Sequence, residues 1–207
     1  SFFSILFIML LNIENLTAQV KISEQEWVIP TYKVSPPDKN PMFFKGESYQ
    51  GASKYIYPYA MNDVISNEKA DHAWKALILE NEYIKLCVTP EIGGKIYYST
   101  DKTNGYNFVY KNDVFKPSNI GMLGAWVSGG IEWCVIHHHR ASTLLPVDYV
   151  LADNKDGSKT IWIGETEPRH RMRWTIGITA YPGKSYYSAE VKIHNPTPFT
   201  NTFLYWA

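Results

Sequence analysis

From Lys75 onwards apolar and polar residues alternate along most of the chain, broken at short intervals by turn-forming residues. Ile84, Leu86 and Val88 interleave with Tyr83, Lys85 and Cys87, the period of two expected of a half-buried strand. Thr89-Pro90-Glu91-Ile92-Gly93-Gly94 turns the chain, and residues 95–100 return with Ile96 and Tyr98 on one face, predicting a hairpin. Asn104-Gly105 marks a second turn before a short run at residues 108–110. Residues 147–152 and 160–164 form strands around Asp156-Gly157. In the long strand 171–181, Met172, Trp174, Ile176, Ile178 and Ala180 share one face. Pro182-Gly183 reverses it into a strand whose Tyr187, Ala189, Val191 and Ile193 point inward, and Asn195-Pro196-Thr197-Pro198 turns into a last strand over 202–207. No amphipathic helix of more than a few turns and no solenoid repeat interrupts this pattern. It predicts an all-β fold, an antiparallel β-sandwich. The final strand stops in mid-pattern, so residues 72–207 read as the amino-terminal part of a domain that continues beyond Ala207.

The first 71 residues differ in texture. Residues 1–19 are an apolar run ending in Thr17, Ala18 and Gln19, which resembles the core and cleavage site of a signal peptide, truncated at its start. It is too short and too poorly flanked to span a membrane, and no later apolar run matches it, so the mature protein is expected to be exported, periplasmic or extracellular. Residues 20–71 are rich in Pro and Tyr, the composition of an extended arm with short strands lying against a larger body. Tyr55, Tyr57 and Tyr59 alternate within it, as an aromatic face or as a strand covering a sheet edge.

Candidate chemistry is concentrated between Trp126 and Tyr149, in WVSGGIEWCVIHHHRASTLLPVDY. Gly129-Gly130 permits a tight backbone path that can carry Glu132 to the floor of a cleft. A sugar-processing enzyme needs such a carboxylate as acid, base or nucleophile. The competing reading is an ion pair with Arg140 that merely holds the loop. His139 is expected as an acid or base acting near neutral pH, with His138 and Arg140 donating hydrogen bonds to sugar hydroxyls. Trp126 and Trp133 flank the acid and could stack on a pyranose ring or fill the core. A metal held by His137, His139 and Glu132 is a further option, but no known zinc spacing supports it, and no metal or cofactor is expected.

The remaining composition narrows the partner. Lys plus Arg and Asp plus Glu both number 20, giving zero net charge. There is therefore no basic field to attract nucleic acid, and a neutral ligand such as a carbohydrate fits better. Arg169, His170, Arg171 and Arg173 cluster beside Glu165 and Glu167, as an anion site or as a solvated charge network. Cys87 and Cys134 could pair, or could be two small buried hydrophobes.

The run NEYIKLCVTPEIGGKIYYSTDKTNGYNFVY resembles the opening strands of the galactose mutarotase-like super-sandwich, as in aldose 1-epimerases, and YPGKSYYSAEVKIHNPTPFTNTFLYWA is similar to a later strand pair of that fold. Taken in order, TPEIGGKI, SGGIEW, HHR, PVDY, DGSKTIWIGE and NPTPFTNTFLYWA more closely resemble a secreted family known as a domain of unknown function, grouped with the mutarotase-like folds and often followed by tetratricopeptide repeats. The resemblance covers roughly residues 75–207. It implies a carbohydrate-active protein, a glycoside hydrolase, lyase or epimerase, with a carboxy-terminal helical-repeat domain; a non-catalytic carbohydrate-binding module is the alternative. Where the mutarotases carry a catalytic His, this chain has Leu204, Tyr205 and Trp206, and the second mutarotase carboxylate lies downstream of Ala207. Mutarotase chemistry therefore does not transfer residue by residue.

Overall fold

The structure is a computed structural model that describes residues 19–40, 57–62, 64–119, 124–135, 139–140 and 142–207. The apolar leader, Tyr55, His137 and His138 lie outside the described residues. Among the described residues there are ten strands: β1 (Lys21–Val34), β2 (Ile65–Glu80), β3 (Ile84–Thr89), β4 (Lys95–Asp101), β5 (Pro117–Asn119), β6 (Ala125–Val127), β7 (Asp148–Asp153), β8 (Lys159–Glu167), β9 (Met172–Ala180) and β10 (Tyr187–His194). They form one antiparallel sheet in the order β1-β2-β3-β4, a second in the order β10-β9-β8-β7, and a small ribbon of β5 and β6.

The two larger sheets face one another across a single apolar core. Leu77, Leu79, Ile84, Leu86, Val88 and Ile96 come from the first sheet, and Ile161, Ile163, Trp174, Ile176 and Ile178 from the second. This is the expected all-β sandwich, and β9 shows why it was legible. Met172, Trp174, Ile176, Ile178 and Ala180 are all buried, as a strand in the middle of its sheet requires. Burying a side chain of that size contributes roughly 1.5–3 kcal/mol, and a one-residue slip would turn the whole row to the other face.

Several expectations are corrected. Among the described residues of the arm a long strand stands where short ones were expected: β1 is a single strand of 14 residues, paired antiparallel to β2 with Trp27 opposite Trp74. Because β2 runs from Ile65 to Glu80, the sheet continues without a break across position 71. Pro30 is tolerated in β1 because that strand is the sheet's edge. The first sheet is also covered on its outer side. Ile29, Ile92, Tyr97, Phe115 and Val127 form a second apolar cluster, and Ala76, Ile78 and Cys87 a third, so Cys87 is buried on the face that alternation assigns to solvent. The strand expected at residues 108–110 is reduced to one bridge between Thr100 and Asn107. Asn107 bonds instead to the backbone of Ser99 and Val109, a local alternative to a ladder. In β10, Ala189 is exposed although Tyr187, Val191 and Ile193 pack on the core. The last segment makes a single bridge, Cys134 with Trp206. Both cysteines are free and buried.

Candidate functional site

The site grows from the way two Gly-Gly turns meet. Gly130 has φ +71°, and a Cβ there would stand 2.4 Å from the carbonyl oxygen of Ile96. Glycine alone permits this approach, which lets Ile131 and Ile96 exchange backbone hydrogen bonds at 2.8 and 3.2 Å. Glu132 follows and is thereby delivered to the end of the first sheet. The turn at Gly93 packs against the segment 142–145, with a would-be Cβ 2.5 Å from the Thr143 carbonyl oxygen and the Gly93 N–H donating to Leu145 O at 3.0 Å. That contact sets Thr143 beside Glu132.

Glu132 accepts three side-chain hydrogen bonds: Trp126 Nε1 on Oε2 at 2.8 Å, Thr143 Oγ1 on Oε1 at 2.8 Å, and His139 Nδ1 on Oε2 at 2.7 Å. Burial pushes the carboxyl upward, but the hydrogen bond and charge of His139 and the donors Trp126 and Thr143 outweigh it and hold the group down at about 2. A carboxyl ionised throughout the neutral range cannot serve there as a proton donor. Being acceptor-only, it fixes Nδ1 of His139 as the N–H. The competing reading of an ion pair between Glu132 and Arg140 gives way to this Glu132–His139 pair.

His139 lies between two indoles. The Trp126 ring is 5.5 Å away and the Trp206 ring 6.2 Å away, both edge-on. Trp206, 36% exposed, is brought in by the paired backbone bonds between Cys134 and Trp206 at 2.9 and 3.1 Å. It comes from the segment where the mutarotase resemblance leads one to look for a histidine, and it was not among the expected site residues. The Cys134 thiol also joins the group, its sulfur 3.9 Å from His139 Nδ1; Glu132, Cys134 and His139 offer ligand atoms that all lie within 4.8 Å of one another.

Two expected contact residues are instead structural. Trp133 is 2% exposed and its Nε1 donates to Gly94 O at 3.0 Å. Arg140 is also 2% exposed; it donates to Trp133 O at 2.9 Å, to Ser142 Oγ at 3.1 Å and to Gly93 O. Its guanidinium stands 3.7 Å from Glu165 and 4.4 Å from the centre of the Trp174 ring. Side chains so enclosed have no face left for a sugar. Of the expected site residues, the structure therefore brings together Trp126, Glu132 and His139, builds Trp133 and Arg140 into the wall behind them, and leaves His138 outside the described residues.

Behind this wall the charge network continues inward rather than out to solvent. Glu165 accepts from Ser142, Trp174 and Tyr59 at 2.6, 3.2 and 3.2 Å. Glu167, 1% exposed, accepts from Arg169 and from the backbone and ring of His170. Burial raises the Glu167 carboxyl, but His170 and Arg169 outweigh it and hold it at about 2. Of the cluster expected to form a solvated network, Arg169 and Glu167 are drawn into the interior, while Arg171 and Arg173 remain exposed. Lys95 is a further buried charge, its Nζ donating to Val127 O at 2.9 Å. Burial pulls its ammonium down to about 8 against the attraction of Glu132 and Cys134. Sequence spacing carries no signal for Lys95, Thr143 or Trp206, since each reaches the site through register between distant segments. A separate open groove of about 940 Å³ lies between the start of β1 and the turn at Asp156-Gly157, away from these residues.

The family model described as a domain of unknown function (DUF5107) matches residues 52–207. The fold is similar to that of a TPR-domain containing protein from Parabacteroides distasonis ATCC 8503, with a TM-score of 0.71 and 23% sequence identity. That match covers 87% of this chain and 30% of the other, so the chain spans under a third of that protein's length. No helix among the described residues is long and apolar enough to cross a membrane.

Proposed function

The chain belongs to the DUF5107 family, a domain of unknown function, and from the site it builds we propose that it is an exported, mutarotase-like carbohydrate-active protein that binds a sugar or glycan at Trp126, His139 and Trp206. The observation that carries this reading is the Glu132–His139 pair set between two indoles. Indoles offer broad apolar faces with a polar edge, suited to the C–H face of a pyranose. A carboxylate that orients an imidazole supplies a group able to take and return a proton. In this reading His139 transfers the proton and Glu132 positions it, within a glycoside hydrolase, lyase or epimerase whose second acidic group lies elsewhere in the whole protein. His138, adjacent in sequence, adds a hydroxyl contact. The balanced charge of the chain suits a neutral ligand.

One observation fits the alternative of a non-catalytic carbohydrate-binding module equally well. Both oxygens of Glu132 are already engaged by Trp126, His139 and Thr143, which suits a fixed recognition surface as well as it suits a proton relay. A helical-repeat domain elsewhere in the whole protein would then provide assembly. A glycan-array binding and hydrolysis screen on the full-length protein, with Glu132→Gln alongside, tests the proposal. Turnover lost while binding persists in Glu132→Gln supports an enzyme. Binding without turnover in the parent supports the module, and no glycan response from the parent overturns both.

A further inference from the structure

Glu132, Cys134 and His139 meet around one point, with one possible ligand atom from each all within 4.8 Å of one another. Carboxylate oxygen, thiolate sulfur and imidazole nitrogen are the three donor types that a borderline divalent ion accepts. Among the described residues no other trio of His, Cys, Asp or Glu comes together in this way.

The spacing is close to what an ion needs. Tetrahedral coordination at ordinary zinc bond lengths places imidazole nitrogen about 3.5 Å from sulfur and about 3.3 Å from carboxylate oxygen. Here the separations are 3.9 Å and 2.7 Å. Movements of about half an ångström, within rotamer reach of the Glu132 and His139 side chains, would reconcile them. The surroundings already hold the donors in place. Thr143 and Trp126 fix the Glu132 carboxylate from outside, the kind of outer hydrogen bonding that orients metal-binding carboxylates. Cys134 is pinned by its two backbone bonds to Trp206. Cys87 provides the contrast: it is buried in an apolar cluster with Ala76 and Ile78.

We propose that Glu132, Cys134 and His139 bind one divalent cation of the zinc class. The ion takes the place of the proton that His139 Nδ1 donates to Glu132, so the metal-loaded and metal-free forms put the pair to different uses. Three protein ligands leave a position for water or a hydroxyl group, as in open zinc sites. The inference goes beyond the carbohydrate reading and does not depend on it, because metal binding is measured with no glycan present.

The test uses full-length protein without a histidine tag, stripped with chelator and titrated with Zn2+ against a chromophoric chelator, with Co2+ as a spectroscopic probe. The parent should bind one equivalent, and Co2+ should give a thiolate charge-transfer band. Cys134→Ser, close to isosteric, should lose that band and bind Zn2+ at least about ten-fold more weakly while keeping the metal-free unfolding midpoint. His139→Ala should also weaken binding, whereas Cys87→Ser should change neither band nor affinity. No stoichiometric binding by the parent, or equal affinity in the parent, Cys134→Ser and His139→Ala, overturns the proposal. A glycan screen run separately bears on the carbohydrate reading alone.

Discussion

Replacing Arg140 with Met removes the cation on which the wall of the site is built while keeping much of its apolar length. The side chain is 2% exposed, donates to Trp133 O, Gly93 O and Ser142 Oγ, and stands 3.7 Å from the Glu165 carboxylate. Without it, two buried carbonyls lose a donor, at roughly 1–3 kcal/mol each if left unsatisfied, and Glu165 loses its cation. Breaking a buried pair from one side costs about 3–5 kcal/mol. These costs do not add in full, because Glu165 keeps Ser142, Trp174 and Tyr59 as donors and Met fills part of the volume. The expected net loss is about 4 kcal/mol, which corresponds to a melting temperature lower by about 8–16 °C for a domain of this size. Urea unfolding followed by tryptophan fluorescence measures it. Arg140→Met combined with Glu165→Gln should recover about 1–2 kcal/mol of that loss, since the uncompensated charge is gone. A loss below about 1 kcal/mol for Arg140→Met, or a further loss on adding Glu165→Gln, would refute the interior network.

Three other outcomes follow from the same contacts. Gly130→Ala places a Cβ 2.4 Å from Ile96 O at φ +71° and should destabilise by about 3 kcal/mol or more, seen as a fall in thermal midpoint. Glu132 and Glu167 are held near 2 against an ordinary 4.5. Each depressed carboxyl therefore contributes stability that is fully present above about 4.5 and lost as pH falls towards 2, up to about 3 kcal/mol apiece. Unfolding free energies across that window should fall steeply for the parent and less so for Glu132→Gln. Trp206→Ala removes one of the two indoles beside His139; glycan affinity should drop roughly ten-fold by titration calorimetry with the unfolding midpoint little changed.

The fold was legible wherever one face of a strand is core and the other is not. In β9 every residue read as inward is buried, because packing between two sheets enforces the period. The reading failed where burial is not one-sided. Cys87 is covered by a second layer, and β1 with the outer half of β2 forms a ladder in which most residues on both faces stay exposed or half-buried. At the site, adjacency in sequence goes with the observed contact between Glu132 and His139. It misassigned Trp133 and Arg140, since composition marks a residue as reactive without saying which way it faces. Thr143, Lys95 and Trp206 were invisible because their partners are set by the approach of Gly93 to Thr143 and of Cys134 to Trp206.

We propose that the Glu132–His139 pair, set between Trp126 and Trp206, handles sugar. This is tested most directly by comparing glycan binding and sugar release by the full-length parent with those of His139→Ala, after matching their unfolding midpoints. The parent should give a glycan response and His139→Ala should lose it, by about 10²-fold or more in rate if His139 transfers the proton. A glycan response of equal strength in the two proteins, or none in the parent, would contradict it.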